Sequence, residues 1–151
     1  MEAPNQRDEV VIPALLRAAR GAYAHAVRAR LTAGGFEDLP GNGPYILGGM
    51  ANRGGTAGNL IRELGVSKQA ASQLIDTLVL RGYLSREINP DDRRRMNVVL
   101  TEHGCAAAAA IRTGIAEVDT KLAGMLSPDE LAGLRAGLAA LGQIAERTEH
   151  D

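Results

Sequence analysis

The chain of 151 residues has few aromatic side chains, a single cysteine and no long apolar run. Aromatic residues make up 3% of it, without any tryptophan, so its core must be built mainly from aliphatic side chains. A single cysteine excludes an intramolecular disulfide bond. No apolar run approaches about 18 residues and no secretory segment is visible at the N-terminus, so we expect a cytoplasmic protein without a membrane span.

Catalytic and metal-binding patterns are also missing. The sequence has neither a nucleophile elbow nor a P-loop, and its glycine-rich stretch GNGPYILGG matches no phosphate-binding spacing. His103 and Cys105 lie close together, but no further ligand stands at metal-binding spacing. Cys105 falls in the first turn of a predicted helix, where a redox role competes with the simpler interpretation of a small packed residue. We therefore expect no enzymatic activity, no metal and no cofactor.

The net charge of −1 is distributed unevenly along the chain. Residues 1–52 are neutral overall, residues 53–95 carry +3, and residues 96–151 carry −4. Basic groups concentrated in one segment indicate where a nucleic acid would bind. Because +3 is a modest charge, the placement of the basic groups should matter more than their number.

The central part of the chain has the pattern of two helices joined by a tight turn. Thr56 is a suitable N-cap for a first helix, which Gly65 ends in a left-handed conformation. Ser67 caps a second helix that runs to about Arg81 and stops at Gly82. A three-residue turn between two such helices predicts a helix-turn-helix. The inward stripe of the second helix consists of Ala71, Leu74, Ile75 and Leu78.

The opposite face of the second helix is polar. Lysine, glutamine and serine side chains near a helix N-terminus can reach base edges in a DNA major groove. An ordinary solvated helix face has the same composition, so this feature alone leaves both interpretations open. The polar residues are Lys68, Gln69, Ser72, Gln73, Asp76 and Thr77.

A basic β-hairpin follows the two helices. Alternating apolar and polar residues predict strands over residues 84–88 and 96–100, joined by a turn that contains proline. Arg93, Arg94 and Arg95 stand at its tip. This combination predicts a winged helix whose arginines enter a minor groove or bind phosphates. The alternative is an exposed loop whose arginines only keep the protein soluble.

Three amphipathic helices flank this segment. The first is predicted from Ile12 or Pro13 to about Ala33, the second over residues 102–125 after the N-cap Thr101, and the third after the capping box at residues 127–130. Apolar residues repeat along the two C-terminal helices as seams that require a partner helix. A monomeric helical bundle and a dimer interface both satisfy that requirement.

The segment between the first helix and Thr56 is rich in glycine. Nine of the 18 glycines fall between Gly34 and Gly58, so the ends of any helix there are poorly defined by the sequence. We expect a loop over residues 36–44, a short second helix over residues 45–50 and a turn over residues 52–55.

These features together resemble the MarR family (multiple antibiotic resistance regulators). The resemblance rests on LGVSKQAASQLIDTLVLRGYLSR, then NPDDRRR, then VVLTEHG, in register without a gap, and with the flanking helices it covers nearly the whole chain. It implies a mainly α fold with a small β-hairpin wing. Residues 36–101 would form the winged helix-turn-helix, between N-terminal (1–35) and C-terminal (102–151) dimerisation helices.

The resemblance implies a homodimeric transcriptional regulator, usually a repressor released by a small-molecule effector, bound to a palindromic operator in double-stranded DNA. The recognition helix would be Ser67–Arg81 and the wing Ile88–Met96, with Asp92 orienting Arg93 or Arg94. The expected DNA-binding residues are Thr56, Ser67, Lys68, Gln69, Ser72, Gln73, Thr77, Arg93, Arg94 and Arg95.

In the family, an effector pocket lies between the dimer helices and the winged helix. The residues best suited to line it here are equally suited to an ordinary core: Tyr23, Phe36, Leu39, Tyr45 and Met50. The alternative function is a winged-helix module that binds another protein without specific DNA binding.

Overall fold

A computed structural model of the chain describes residues 10–53 and 56–148. The described residues up to Ile115 form one compact unit, and those from Ala116 onward form a second. The elements in order are α1 (Ile12–Ala33), α2 (Gly43–Arg53), α3 (Ala57–Glu63), α4 (Lys68–Leu80), β1 (Leu84–Ile88), β2 (Met96–Leu100), α5 (Glu102–Met125) and α6 (Pro128–Thr148). The predicted mainly α fold with a β-hairpin is confirmed.

The ends of α3 and α4 follow the local signals in the sequence. Thr56 Oγ1 accepts a hydrogen bond from the backbone N–H of Asn59 at 3.2 Å. Ser67 Oγ accepts one from the N–H of Ala70, also at 3.2 Å. Gly65 has a φ of 64°, which a residue with a Cβ atom adopts only at a cost. The predicted helix-turn-helix is therefore confirmed.

The second unit begins its helix α6 with the predicted capping box. The backbone N–H of Ser127 donates to Glu130 Oε2 at 2.8 Å, and the N–H of Glu130 donates to Ser127 Oγ at 3.3 Å. Hydrogen bonds from the backbone and the side chain of Ser127 to the carboxylate lower the pKa of Glu130, because they favour its charged form.

Helix α2 is longer than the sequence predicts. It covers Gly43–Arg53 rather than residues 45–50, so the predicted loop is wrong at its last two residues. Pro44 fits in the first turn, where its missing N–H costs nothing. The turn predicted over residues 52–55 is wrong at 52 and 53, which are helical, and its remainder lies outside the described residues. A Cβ atom on Gly49 would lie 2.6 Å from the Leu60 side chain, so this glycine lets α3 approach closely.

The core of the first unit is aliphatic around one buried aromatic ring. Tyr83, at the end of the turn after α4, is fully buried. The predicted inward stripe of α4 is confirmed, since Leu78 is fully buried and the other three residues pack against the core. The buried apolar residues are Leu31, Ile46, Leu47, Ala57, Leu60, Ile61, Leu78, Tyr83, Leu84, Ala107, Ala108 and Ile111.

The start of α5 packs directly on the backbone of residues 82 and 83. A Cβ atom on Gly104 would lie 2.0 Å from the carbonyl oxygen of Tyr83, so only glycine fits there. Thr101 Oγ1 accepts from the N–H of Gly104 at 2.9 Å and lies 2.5 Å from the carbonyl oxygen of Gly82. The backbone N–H of Thr101 donates to the carbonyl of Tyr83 at 3.1 Å. We call this contact the α5 junction; it holds α5 against the turn between α4 and the hairpin.

Asp38 connects the loop after α1 to the turn between α4 and β1 through two hydrogen bonds. Its carboxylate accepts a hydrogen bond from the Tyr83 hydroxyl, and its backbone carbonyl accepts one from the Arg81 guanidinium. The rings of Phe36 and Tyr83 have centroids 6.3 Å apart, which adds an aromatic contact between loop and turn. Burial of Tyr83, followed by its hydrogen bond to Asp38, raises the pKa of this tyrosine to about 12.

Replacing Gly104 with alanine should destabilise the protein, because the new methyl group would meet the backbone of Tyr83, which cannot rotate away. We expect a loss of about 1–3 kcal/mol or more, measured by urea unfolding. Gly124→Ala in the same helix is the matched control, since nothing lies within 4 Å of that position. The control should gain about 0.5–1 kcal/mol from its higher helix propensity. Equal stability of the two variants would contradict the close approach.

The raised pKa of Tyr83 predicts a specific loss of stability in alkali. The folded protein holds the phenolic proton more tightly than the unfolded chain does, so this contribution is complete below pH 10 and is lost between pH 10 and about 12. The free energy of unfolding should therefore fall more steeply across this range in the parent than in Tyr83→Phe. Urea unfolding at several alkaline pH values measures both slopes. Parallel slopes would show that Tyr83 ionises alike in the folded and unfolded states.

Candidate nucleic-acid interface

The polar face of α4 lies on the surface of the first unit. Five of the six polar side chains noted in the sequence are exposed, and Thr77 is half-buried. The exposed five are Lys68, Gln69, Ser72, Gln73 and Asp76. The structure thus brings together the side chains from which base contacts are predicted, on a helix whose other face is anchored in the core.

The hydroxyl groups of Thr56, Ser67 and Thr77, which are among the expected DNA-binding residues, differ in whether their hydrogen is free to be donated to DNA. Thr56 and Ser67 accept bonds as N-caps, so their hydroxyl hydrogens remain available to a phosphate oxygen. The hydroxyl of Thr77 donates its one hydrogen to the carbonyl of Gln73 at 2.7 Å. A phosphate contact from Thr77 would require that bond to break.

The hairpin is antiparallel, and its register pairs Leu84 with Leu100 and Ile88 with Met96. Beyond that last pair, the N–H of Asn89 donates to the carbonyl of Arg95 at 2.9 Å and closes the tip. All three tip arginines are exposed. They are thus presented together at the end of a hydrogen-bonded hairpin, as the winged-helix prediction requires.

Asp92 organises this tip through its carboxylate. Oδ1 accepts a hydrogen bond from the backbone N–H of Arg94 at 3.0 Å, and Oδ2 lies 4.0 Å from Nε of Arg95. The sequence led us to expect pairing with Arg93 or Arg94. In the structure the carboxylate is instead paired with the backbone N–H of Arg94 and with the side chain of Arg95.

A groove of about 470 Å³ runs between α3, α4 and β1 on the same side as the polar face. Its floor is apolar and its rim is charged. The residues that line it are Gly58, Ile61, Arg62, Val66, Lys68, Ala71, Ser72, Ile75, Asp76 and Arg86. Three of them, Lys68, Ser72 and Asp76, belong to the polar face of α4, so the groove and that face are one continuous surface.

Two arginines of this surface were not singled out from the sequence. Arg86 of β1 donates to Oδ1 of Asp76 on α4, and Arg62 of α3 donates to Oδ1 of Asn59. Strand alternation places Arg86 on the same face of β1 as the buried Leu84. No local pattern signals that its partner lies ten residues earlier on another element.

The predicted effector-pocket residues are dispersed over the first unit. Phe36, Leu39 and Met50 pack against the core, while the Tyr45 hydroxyl donates to Glu63. Tyr23 is half-buried on α1. Three of the five therefore have the core role that the sequence left open, and an effector pocket that includes them remains a prediction.

His103 has an aromatic environment. Its ring stacks on Tyr83 with centroids 4.5 Å apart and lies 5.1 Å from the ring of Phe36. Cys105 is exposed on the first turns of α5.

Among the described residues, no three histidine, cysteine, aspartate or glutamate side chains group closely enough to hold a metal ion. Across the same residues, none of the helices has the length and apolar character needed to cross a membrane.

Comparison of the fold with solved structures gives close agreement over most of the chain. A complex of S. aureus MepR with DNA matches with a TM-score of 0.69 at 21% identity, over 89% of this chain and 98% of that one. The apo form of wild-type MarR from E. coli matches with a TM-score of 0.61 at 22% identity, over 87% and 97% of the two chains. These matches establish the fold.

Sequence comparison adds relatives at higher identity. Uncharacterised proteins of Mycobacterium tuberculosis and Mycobacterium bovis are 31% identical over 93 residues, which is 62% of this chain. The chain spans 65% of the length of these relatives. Residues 38–95, from Asp38 through α4 to the tip of the wing, match the family model described as MarR family. The segment of residues 38–95 is therefore similar to the MarR family, and the chain shares its winged-helix fold with S. aureus MepR and E. coli MarR.

Proposed function

We propose that the protein is a sequence-specific regulator of transcription that binds double-stranded DNA as a homodimer. The observation that carries the proposal is the exposed polar face of α4 beside a rigid wing tipped by three exposed arginines. Both lie within the segment that matches the family model. The fold and the family are those of transcriptional regulators rather than enzymes, and S. aureus MepR, which shares the fold, has been solved with DNA.

In this role helix α4 and the wing contact different parts of the DNA. The side chains of Lys68, Gln69, Ser72 and Gln73 enter the major groove and read base edges. Arg93, Arg94 and Arg95 hold the minor groove and the neighbouring phosphates, which positions the helix but carries little sequence information. The N-cap hydroxyls of Thr56 and Ser67 donate to phosphates at the helix ends.

A homodimer is supported by apolar side chains that the chain itself leaves exposed. On α1, Ile12 is 59% exposed and Leu15 is 50% exposed. On α6, Leu134, Leu138 and Leu141 of the predicted seam are between 39% and 45% exposed. Ile111, at the start of the α5 seam, is instead buried in the chain's own core. A two-fold axis through a second copy would place two recognition helices about 34–36 Å apart, which suits a palindromic operator.

We further propose that the protein is a repressor released by a small molecule. S. aureus MepR, with the same fold, has been solved with ethidium bound. In this chain the loop that holds Phe36 and Leu39 is bonded through Asp38 to Arg81 and Tyr83, directly after α4. An effector that displaces the loop would move the end of the recognition helix and so change the spacing of the two helices from that of the operator.

The first experiment is an electrophoretic shift on the intergenic DNA next to the protein's own gene, at two salt concentrations and with non-specific competitor. A shift that resists competitor and weakens steeply with salt supports the proposal, because neutralised phosphates release counterions. Absence of any shift at low salt would overturn it and favour a module that binds another protein.

Replacing Arg94 with alanine should weaken operator binding by about tenfold or more and reduce the salt slope by about one, because a phosphate or minor-groove contact is lost. Binding isotherms at several salt concentrations measure both. Arg135→Ala on α6 is the matched control, since it removes an exposed arginine remote from α4 in the sequence and should bind as the parent does. Sedimentation should show the same oligomeric state for both variants. An unchanged affinity of Arg94→Ala would contradict the role of the wing.

Replacing Gln69 with alanine should instead reduce discrimination between the operator and a scrambled duplex, by about 1–3 kcal/mol for a lost bidentate base contact. The salt slope should not change, because glutamine neutralises no phosphate. The ratio of the two dissociation constants is the measurement. If affinity for both duplexes fell equally, Gln69 would act on the DNA backbone and not on a base.

A further inference from the structure

The proposed DNA-facing stripe of α4 contains a carboxylate. Lys68, Ser72 and Asp76 follow one another at intervals of four residues, so they lie on one face of the helix. Asp76 is the only acidic residue of α4, and its side chain is 65% exposed. All three also line the groove between α3, α4 and β1. A carboxylate in this position would face the phosphates of any duplex bound to this surface.

Such a carboxylate opposes DNA binding unless its charge is neutralised. Two like charges repel over several ångströms, and the repulsion grows as water is excluded between protein and DNA. The tip of the wing has the same arrangement, since Asp92 is bonded to the Arg94 backbone and lies beside Arg95. The carboxylate of Asp76 has its own cationic partner, Arg86.

Arg86 reaches Asp76 from a different element. It lies in β1, paired with Val98 of β2, and its guanidinium donates to Oδ1 of Asp76. Its side chain is 39% exposed, and its stem forms part of the groove wall. The bond therefore does two things: it cancels the negative charge on the recognition helix, and it fixes that helix to the first strand of the wing.

We propose that Arg86 is a positioning residue for DNA binding that acts through Asp76 rather than by contact with the DNA. The inference rests on the proposed function. Arg86 neutralises Asp76 as the helix approaches the phosphates, and it sets the angle between the helix and the wing so that both engage the same stretch of duplex. Its effect on affinity thus depends on the presence of the Asp76 carboxylate.

A double-mutant cycle tests this dependence. The variants are Arg86→Met, which keeps the apolar stem in the groove wall, Asp76→Asn, and the two combined. Affinity for the operator should fall by about tenfold in Arg86→Met, stay at or above the parental value in Asp76→Asn, and return to within about threefold of the parent in the double variant. Arg86→Lys should recover part of the loss, because it restores the charge. Thermal unfolding checks that each variant is folded.

Two outcomes would overturn the inference. If the double variant bound as weakly as Arg86→Met, and both lost about one unit of salt slope, Arg86 would itself contact a phosphate. If Asp76→Asn alone lost about tenfold in affinity, the carboxylate would read a cytosine amino group rather than need masking. Failure of the proposed function gives a different result, because the parental protein itself would then show no sequence preference for any duplex. That result would also overturn the inference about Arg86.

Discussion

The α5 junction is the contact on which the rest of the first unit depends. Gly104 lies against the carbonyl of Tyr83, and Thr101 bonds the backbone of residues 82 and 83 while it caps α5. Helix α4 ends just before this point and the hairpin begins just after it, so one backbone turn sets the direction of both. Gly114 repeats the close approach further along α5, where a Cβ atom would lie 2.9 Å from the backbone of α1. Helix α5 therefore packs closely both against α1 and against the turn that joins α4 to the hairpin.

The surface that we propose to face DNA combines a small positive charge with bonded carboxylates. The segment of residues 53–95 carries only +3, so each unbonded acid would reduce a weak attraction considerably. Asp76 and Asp92 are both held by neighbouring donors, which leaves exposed arginines to dominate the local field. The same bonds also fix the geometry, because the bond of Asp76 joins α4 to β1 and the bond of Asp92 shapes the tip of the hairpin. The contacts of Asp76 and Asp92 thus determine both the local charge of this surface and the orientation of α4 and the hairpin.

Most of the secondary structure could be predicted because its signals act over three or four residues. The N-caps Thr56, Ser67 and Thr101 each bond a backbone N–H three residues ahead, and the glycines after α3 and α4 take left-handed conformations. The predicted helix α2 is too short because its extent depends on a contact with a distant element rather than on local signals. Its glycines weaken a helix locally, yet Gly49 is required by the approach of Leu60 from α3, which no local pattern reveals. The polar face of α4 and the arginine-tipped wing were predictable, since both follow from periodicity.

The sequence by itself determined where both strands and the helices other than α2 lie, which face of α4 is polar, and that the basic charge gathers between residues 53 and 95. These are properties of neighbours along the chain, set by backbone hydrogen bonds and side-chain spacing. Only the tertiary structure decided which distant groups meet: Asp38 with Tyr83, 45 residues away, and Asp76 with Arg86 across two elements. Such pairings depend on how packed elements approach one another. No pattern of neighbouring residues in the sequence shows which side chains, ten or more residues apart, will meet.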